Sequence, residues 1–184
     1  MKYFLGFLAA AGLIVLVFIL ILRGFGGGRN ASVQSQLTDY AKTETVMRLV
    51  ESGPVNADQD HRSISVVIGR SKNTIKLVQG YEGHVLQSKD YDSNESAYTT
   101  FLRAIQLQGY TRGNTDPAKA DSTGVCPLGK VYTFEIITGS DTVQSFWTTS
   151  CGGGTFRGNR NVILQLFRAQ IPDYSTIIRG TQLN

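Results

Sequence analysis

Charge is scarce in this chain of 184 residues, where Asp, Glu, Lys and Arg together make up 17%. An average globular domain carries roughly a quarter. Such scarcity excludes an acidic or basic disordered tail, which depends on dense like charge. Four prolines exclude a proline-rich spacer. Two cysteines are too few for a disulfide-dense miniprotein or a four-cysteine zinc site. The two histidines, His61 and His84, lie among polar residues without the spacing of metal ligands. Also missing are the Gly-x-x-x-x-Gly-Lys-Ser/Thr phosphate loop, a complete Gly-x-Gly-x-x-Gly turn and the Gly-x-Ser-x-Gly nucleophile elbow. No catalytic residue, metal or cofactor is therefore expected.

Acid is absent from the first 29 residues, which hold Lys2, Arg23 and Arg29. The rest of the chain carries 15 basic and 14 acidic side chains. The pI near 9.1 is thus a property of the leading segment rather than of the folded body. A nucleic-acid partner requires a basic face on the body, and none is expected.

What the chain does have is one long apolar run. Residues 3–22, YFLGFLAAAGLIVLVFILIL, contain no charge, and as a helix they span about 30 Å, the thickness of a bilayer core. A cleaved signal has a shorter apolar core and a small-residue cleavage site. Here the run ends at Leu22-Arg23-Gly24-Phe25 with no Ala-x-Ala pattern, and no cysteine follows for lipid attachment. The expectation is an uncleaved single-pass anchor in the cytoplasmic membrane over residues 1–23, contacting lipid through residues 3–22. A glycine-rich joint over 24–34 and a body over 35–184 follow. The flanking charges alone favour a cytoplasmic body. The export-like layout, the cysteine pair and the Gly-, Ser- and Thr-rich body favour one outside the membrane.

The body reads as α+β. Leu37, Tyr40, Ala41, Met47 and Val50 predict a helix over 35–52, stopped by Gly53-Pro54. Alternation predicts strands over 63–69, 74–79 and 84–88. Ala97, Tyr98, Phe101, Leu102 and Ile105 predict a helix over 94–108, capped by Ser93 and ended by Gly109. A polar loop over 110–125 leads to a hairpin of strands 130–138 and 143–150. Val162, Ile163, Leu166 and Phe167 predict a final helix over 159–170. The expected order is α-β-β-β-α-β-β-α, with about five mostly antiparallel strands and three helices.

Cys126 and Cys151 flank the hairpin, whose antiparallel strands bring their ends together. A disulfide is the first reading, ahead of two buried thiols or a catalytic thiolate lacking a nearby base. The segment Cys151-Gly152-Gly153-Gly154-Thr155-Phe156-Arg157-Gly158-Asn159 enters the last helix. It reads as a structural turn or, with Arg157 and Arg160, as a site for a small anion or carboxylate. Gly152, Gly153, Gly154, Arg157 and Arg160 are the candidate ligand-binding residues. Asn56/Asp58/Asp60 and Asp90/Asp92/Asn94 have the first spacings of a calcium loop, but neither has the glycine and glutamate that must follow. Glu135 is the acid of an apolar strand and is expected to face solvent, and His61 is expected to be exposed at a strand edge.

Anchor, glycine joint and small cysteine-paired body resemble the layout of single-span bacterial envelope proteins. The resemblance is one of arrangement over the whole chain and assigns no residue a role. The expected function is a tethered module that presents its α+β domain to an envelope protein or a small anionic ligand. The alternatives are an envelope hydrolase and a small-anion or ligand sensor built on the glycine loop.

Overall fold

Period-two burial builds the sheet of this computed structural model, which describes residues 36–181 and 183. The expected anchor and glycine joint lie outside the described residues. Strand β1, Thr45–Ser52, turns Met47 and Leu49 inward and Val46, Arg48 and Val50 outward. Strands β2 (Arg62–Ile68), β3 (Lys72–Gln79) and β4 (His84–Asp92) follow as a meander. Helix α1, Glu95–Leu107, then recrosses the sheet to β5 (Val131–Thr138) and β6 (Asp141–Thr149). The result is one antiparallel six-stranded sheet in the order β4-β3-β2-β1-β5-β6. Helix α2 (Arg160–Ala169) and the short α3 (Tyr174–Ile177) close the chain, and two 3-10 helices, η1 (Leu37–Lys42) and η2 (Pro117–Lys119), complete it.

The core lies between one sheet face and the layer of η1, α1 and α2. Met47, Leu49, Ile64, Val66, Phe134 and Ile136 meet Phe101, Leu102, Ile105, Ile163 and Phe167 there, all buried. Each such side chain contributes about 1.5–3 kcal/mol when removed from water. Phe101 and Phe167 meet edge to face at 5.1 Å, locking α1 onto α2. The Tyr98 hydroxyl donates to the Thr45 carbonyl at 2.8 Å. The buried Tyr110 hydroxyl lies 3.1 Å from the Arg48 carbonyl and 2.9 Å from that of Glu135. Both phenols thus fasten the helical layer to the sheet backbone.

Three sequence expectations about the fold are corrected. The sheet has six strands, not five, and the helix expected over 35–52 is η1 followed by β1. The alternation of β1 is masked because Val46 and Val50 point outward while Thr45 and Glu51 point inward. Its apolar residues therefore do not mark the buried face. The cap of α1 is Asn94, whose Oδ1 accepts from the Ala97 amide at 2.9 Å, rather than Ser93. Gly109 ends that helix at φ 77°, as expected.

Candidate functional site

Cys126 and Cys151 are bonded, with Cα atoms 5.8 Å apart. The bond ties the segment before β5 to the one after β6. Ser150 reinforces it by accepting from the Lys130 amide at 2.8 Å.

The glycine loop beyond Cys151 spends many of its polar groups on the protein. Gly152, Gly153 and Gly154 all have positive φ, at 91°, 80° and 109°. A Cβ at Gly154 would collide with the Trp147 carbonyl, whereas one at Gly152 or Gly153 would meet open space. The amides of Thr155 and Phe156 both donate to the Trp147 carbonyl, at 2.8 and 2.9 Å. The amides of Arg157 and Asn159 donate to the carbonyls of Arg112 and Gln108. The Thr148 and Thr149 hydroxyls donate to the carbonyls of Gly153 and Gly152. Arg157 turns its guanidinium onto the carbonyls of Gly154 and Phe156, at 2.8 and 3.1 Å. Four of the five positions singled out from sequence, Gly152, Gly153, Gly154 and Arg157, are therefore brought together in a hydrogen-bonded turn at the edge of β6.

Arg160 leads elsewhere. Its Nη1 donates to the Thr149 carbonyl at 2.6 Å, and its guanidinium carbon lies 5.3 Å from the centre of the Tyr132 ring. Tyr132 is the cross-strand partner of Glu51, and Glu51 is the centre of a cluster that sequence reading missed. The Glu51 side chain is only 4% exposed. Its Oε2 accepts from Arg168 at 2.8 Å, and its Oε1 lies 3.4 Å from Lys130 Nζ. Arg168 in turn stands over the Tyr174 ring at 5.4 Å. One carboxylate thus pairs with two cations, Lys130 and Arg168, beside two phenols, and Arg160 covers the Tyr132 ring next to it. Arg160, Leu164 and Arg168 fall one turn apart on α2, which places both arginines on one stripe of the helix.

The electrostatics follow from this packing. Burial works against the Arg168 charge, but the Tyr174 phenol and the Glu51 carboxylate outweigh it and raise its pKa. Burial, and after it the Glu51 charge, raises the pKa of Tyr132. Burial also raises that of Tyr174, with Arg168 opposing. Both phenols are thus held protonated as hydrogen-bond donors. Arg168 Nε is buried and has no hydrogen-bond partner among the described residues. A buried guanidinium nitrogen left unsatisfied is uncommon in folded proteins.

The remaining candidates are dispersed. His61 is buried, not exposed. Its ring stacks on Tyr81 at 4.2 Å, and its Nδ1 lies 3.1 Å from the Pro54 carbonyl. Glu135 lies on the outward face, but its side chain is only 12% exposed and is ion-paired there with Arg48 rather than open to solvent. Asp58 accepts from the Tyr81 amide, and Asp90 pairs with Lys72, so these two acids of the calcium-like stretches serve local structure. Among the described residues no group of three or more His, Cys, Asp or Glu gathers as a metal site. Two clefts open on the helical layer. One, of about 500 Å³, is lined by Ala97, Thr100, Phe101, Ala104 and Leu166. The other, of about 340 Å³, lies between Gln36, Arg103 and Leu107. Neither contains the glycine loop or the Glu51 cluster. Among the described residues no helix is long and apolar enough to cross a membrane.

No protein-family model, curated protein or solved structure matches the chain.

Proposed function

We propose that the chain is a membrane-tethered binding module of the cell envelope. Residues 3–22 anchor it in the cytoplasmic membrane, its body stands outside, and the Lys130/Arg160/Arg168 surface takes an anionic group of an envelope protein or small ligand. The observation that carries the binding reading is the charge imbalance around Glu51. Lys130 and Arg168 share one carboxylate and Arg160 stands over the neighbouring Tyr132 ring without an acid of its own, leaving two positive charges beside two protonated phenols. Guanidinium forks and phenol donors suit carboxylate and phosphate groups. The disulfide supports the extracytoplasmic placement, since such bonds persist where thiols are oxidised.

Calorimetry on the full-length chain in detergent, with inorganic phosphate and with a tetraglutamate peptide as separate probes, tests the site. Arg160→Gln weakens binding about tenfold, the worth of one charge-assisted contact. Glu51→Gln tightens it, because the competing internal carboxylate is gone. Absence of binding to both probes at millimolar concentration overturns the reading. The placement is tested separately by fusing an export-dependent phosphatase or a cytoplasm-dependent fluorescent reporter to the carboxyl end. A signal from the fluorescent reporter alone overturns it.

A further inference from the structure

The sheet has a second face. Val46, Arg48, Val50 and Ser52 of β1, Ser63, Ser65 and Val67 of β2, and Val131, Thr133, Glu135 and Ile137 of β5 point away from the helical layer, and all are partly exposed. The short η2 reaches this side, where the Lys119 carbonyl accepts from Trp147 Nε1 at 2.9 Å over β6. An antiparallel sheet that faces water on one side normally alternates apolar-in with polar-out. Here the outward positions of β1 and β5 carry Val46, Val50, Val131 and Ile137 around a single ion pair, Arg48–Glu135.

We propose that this face is the interface of a homodimer, its two-fold axis running parallel to the strands between β1 and β5. The register carries the argument. In an antiparallel pair each residue lies level with its cross-strand partner: Val46 with Ile137, Arg48 with Glu135, Val50 with Thr133. A two-fold axis along that line lays β1 of one copy over β5 of the other without changing level. Each Arg48 then covers the second copy's Glu135, and each Val46 covers its Ile137. The four charges form a closed alternating ring flanked by aliphatic contacts. An isologous interface needs a patch complementary to itself, and this register supplies one. Rotating the face about other lines sets Arg48 against Arg48 or strands Glu135 over Val67.

The size is sufficient. Strands β2, β1 and β5 and the η2 loop that covers β6 overlap in this arrangement. At about 4.8 Å between strands and about 3.4 Å per residue they offer a footprint of roughly 500 Å² on each copy. Both copies together then bury about 1,000 Å², the level a specific interface clears, before pleating adds to it. Aligned sheets pack face to face about 10 Å apart, close enough for the valines to touch.

The test is sedimentation equilibrium of the full-length chain in density-matched detergent. The wild type sediments as a dimer. Glu135→Arg places four like charges at the centre and shifts the dissociation constant upward at least a hundredfold. Combining it with Arg48→Glu restores the ring and the dimer. Because Glu135→Arg also breaks an internal ion pair, Val50→Lys is tested beside it, with far-ultraviolet dichroism confirming the fold. This residue takes part in no ion pair, and its substitution also yields monomer. A monomeric wild type at 100 µM overturns the proposal. So does a dimer that survives both Glu135→Arg and Val50→Lys, which would place association elsewhere in the chain.

Discussion

Glu51 and Arg168 form an asymmetric pair, and the asymmetry has a measurable consequence. Glu51 is 4% exposed, whereas the side chain of Arg168 retains 38%. Replacing Glu51 by Gln keeps the shape and an acceptor for Arg168, and it leaves two cations that still reach water. Its cost is one charge-assisted hydrogen bond reduced to a neutral one, about 1–1.5 kcal/mol. Replacing Arg168 by Met keeps the aliphatic stem beside Tyr174 but strips the carboxylate of its nearer partner. A buried charge that loses its partner costs about 3–5 kcal/mol. Lys130 at 3.4 Å remains, so the lower end of that range, about 3 kcal/mol, is expected.

The double variant Glu51→Gln/Arg168→Met has no buried charge to strand. It should cost about 2 kcal/mol, less than Arg168→Met alone, which gives a coupling of about 2 kcal/mol. In a domain of this size 3 kcal/mol lowers Tm by about 6–12 °C. Urea unfolding of the four proteins followed by circular dichroism supplies the cycle, urea being preferred because it adds no salt. Two results refute the reasoning: Glu51→Gln costing as much as Arg168→Met, or costs that add within 0.5 kcal/mol. Either would mean that the carboxylate is well solvated in the folded protein.

Three further outcomes are expected. Replacing Cys126 and Cys151 together by Ser opens a loop of 25 residues and costs about 3–4 kcal/mol, lowering Tm by about 10 °C in a thermal melt. Gly154→Ala costs about 2 kcal/mol or more by urea titration, because its Cβ meets the Trp147 carbonyl at φ 109°. Gly152→Ala, with open space around its Cβ, costs only about 1 kcal/mol for the left-handed backbone. Burial raises the pKa of Tyr98 and Tyr110 above the ordinary phenol value near 10. A raised folded-state value means that the folded protein keeps protons the unfolded chain gives up. The stabilisation is therefore complete below about pH 10 and declines as pH rises beyond it. Urea midpoints should fall above that pH, and less steeply in Tyr110→Phe.

How far the sequence announces these features depends on whether polarity and direction agree. Along Asn94–Gln108 every apolar residue that matters faces the core, and the helix is legible almost to its ends. The β5–β6 hairpin is legible for the same reason, and with it the disulfide, because antiparallel ends must approach each other. In β1 the two disagree: Glu51 points inward and Val46 and Val50 outward, so a periodicity search finds a helix where a strand stands. That one misreading hides two features. A carboxylate takes an inward position only where cations from distant segments reach it. Lys130 and Arg168 lie 79 and 117 residues further along the chain, and no local pattern links them to Glu51. The outward valines have no described helix to cover them, and the self-complementary register of β1 with β5 gives them a second copy of the same face. The residues that break the alternation of β1 are thus the ones assigned here to binding and to association. The glycine loop misleads in the opposite way. Its composition is that of an anion cradle, but the amides of Thr155, Phe156, Arg157 and Asn159 and the Arg157 guanidinium are already spent on neighbouring carbonyls, which no sequence motif records.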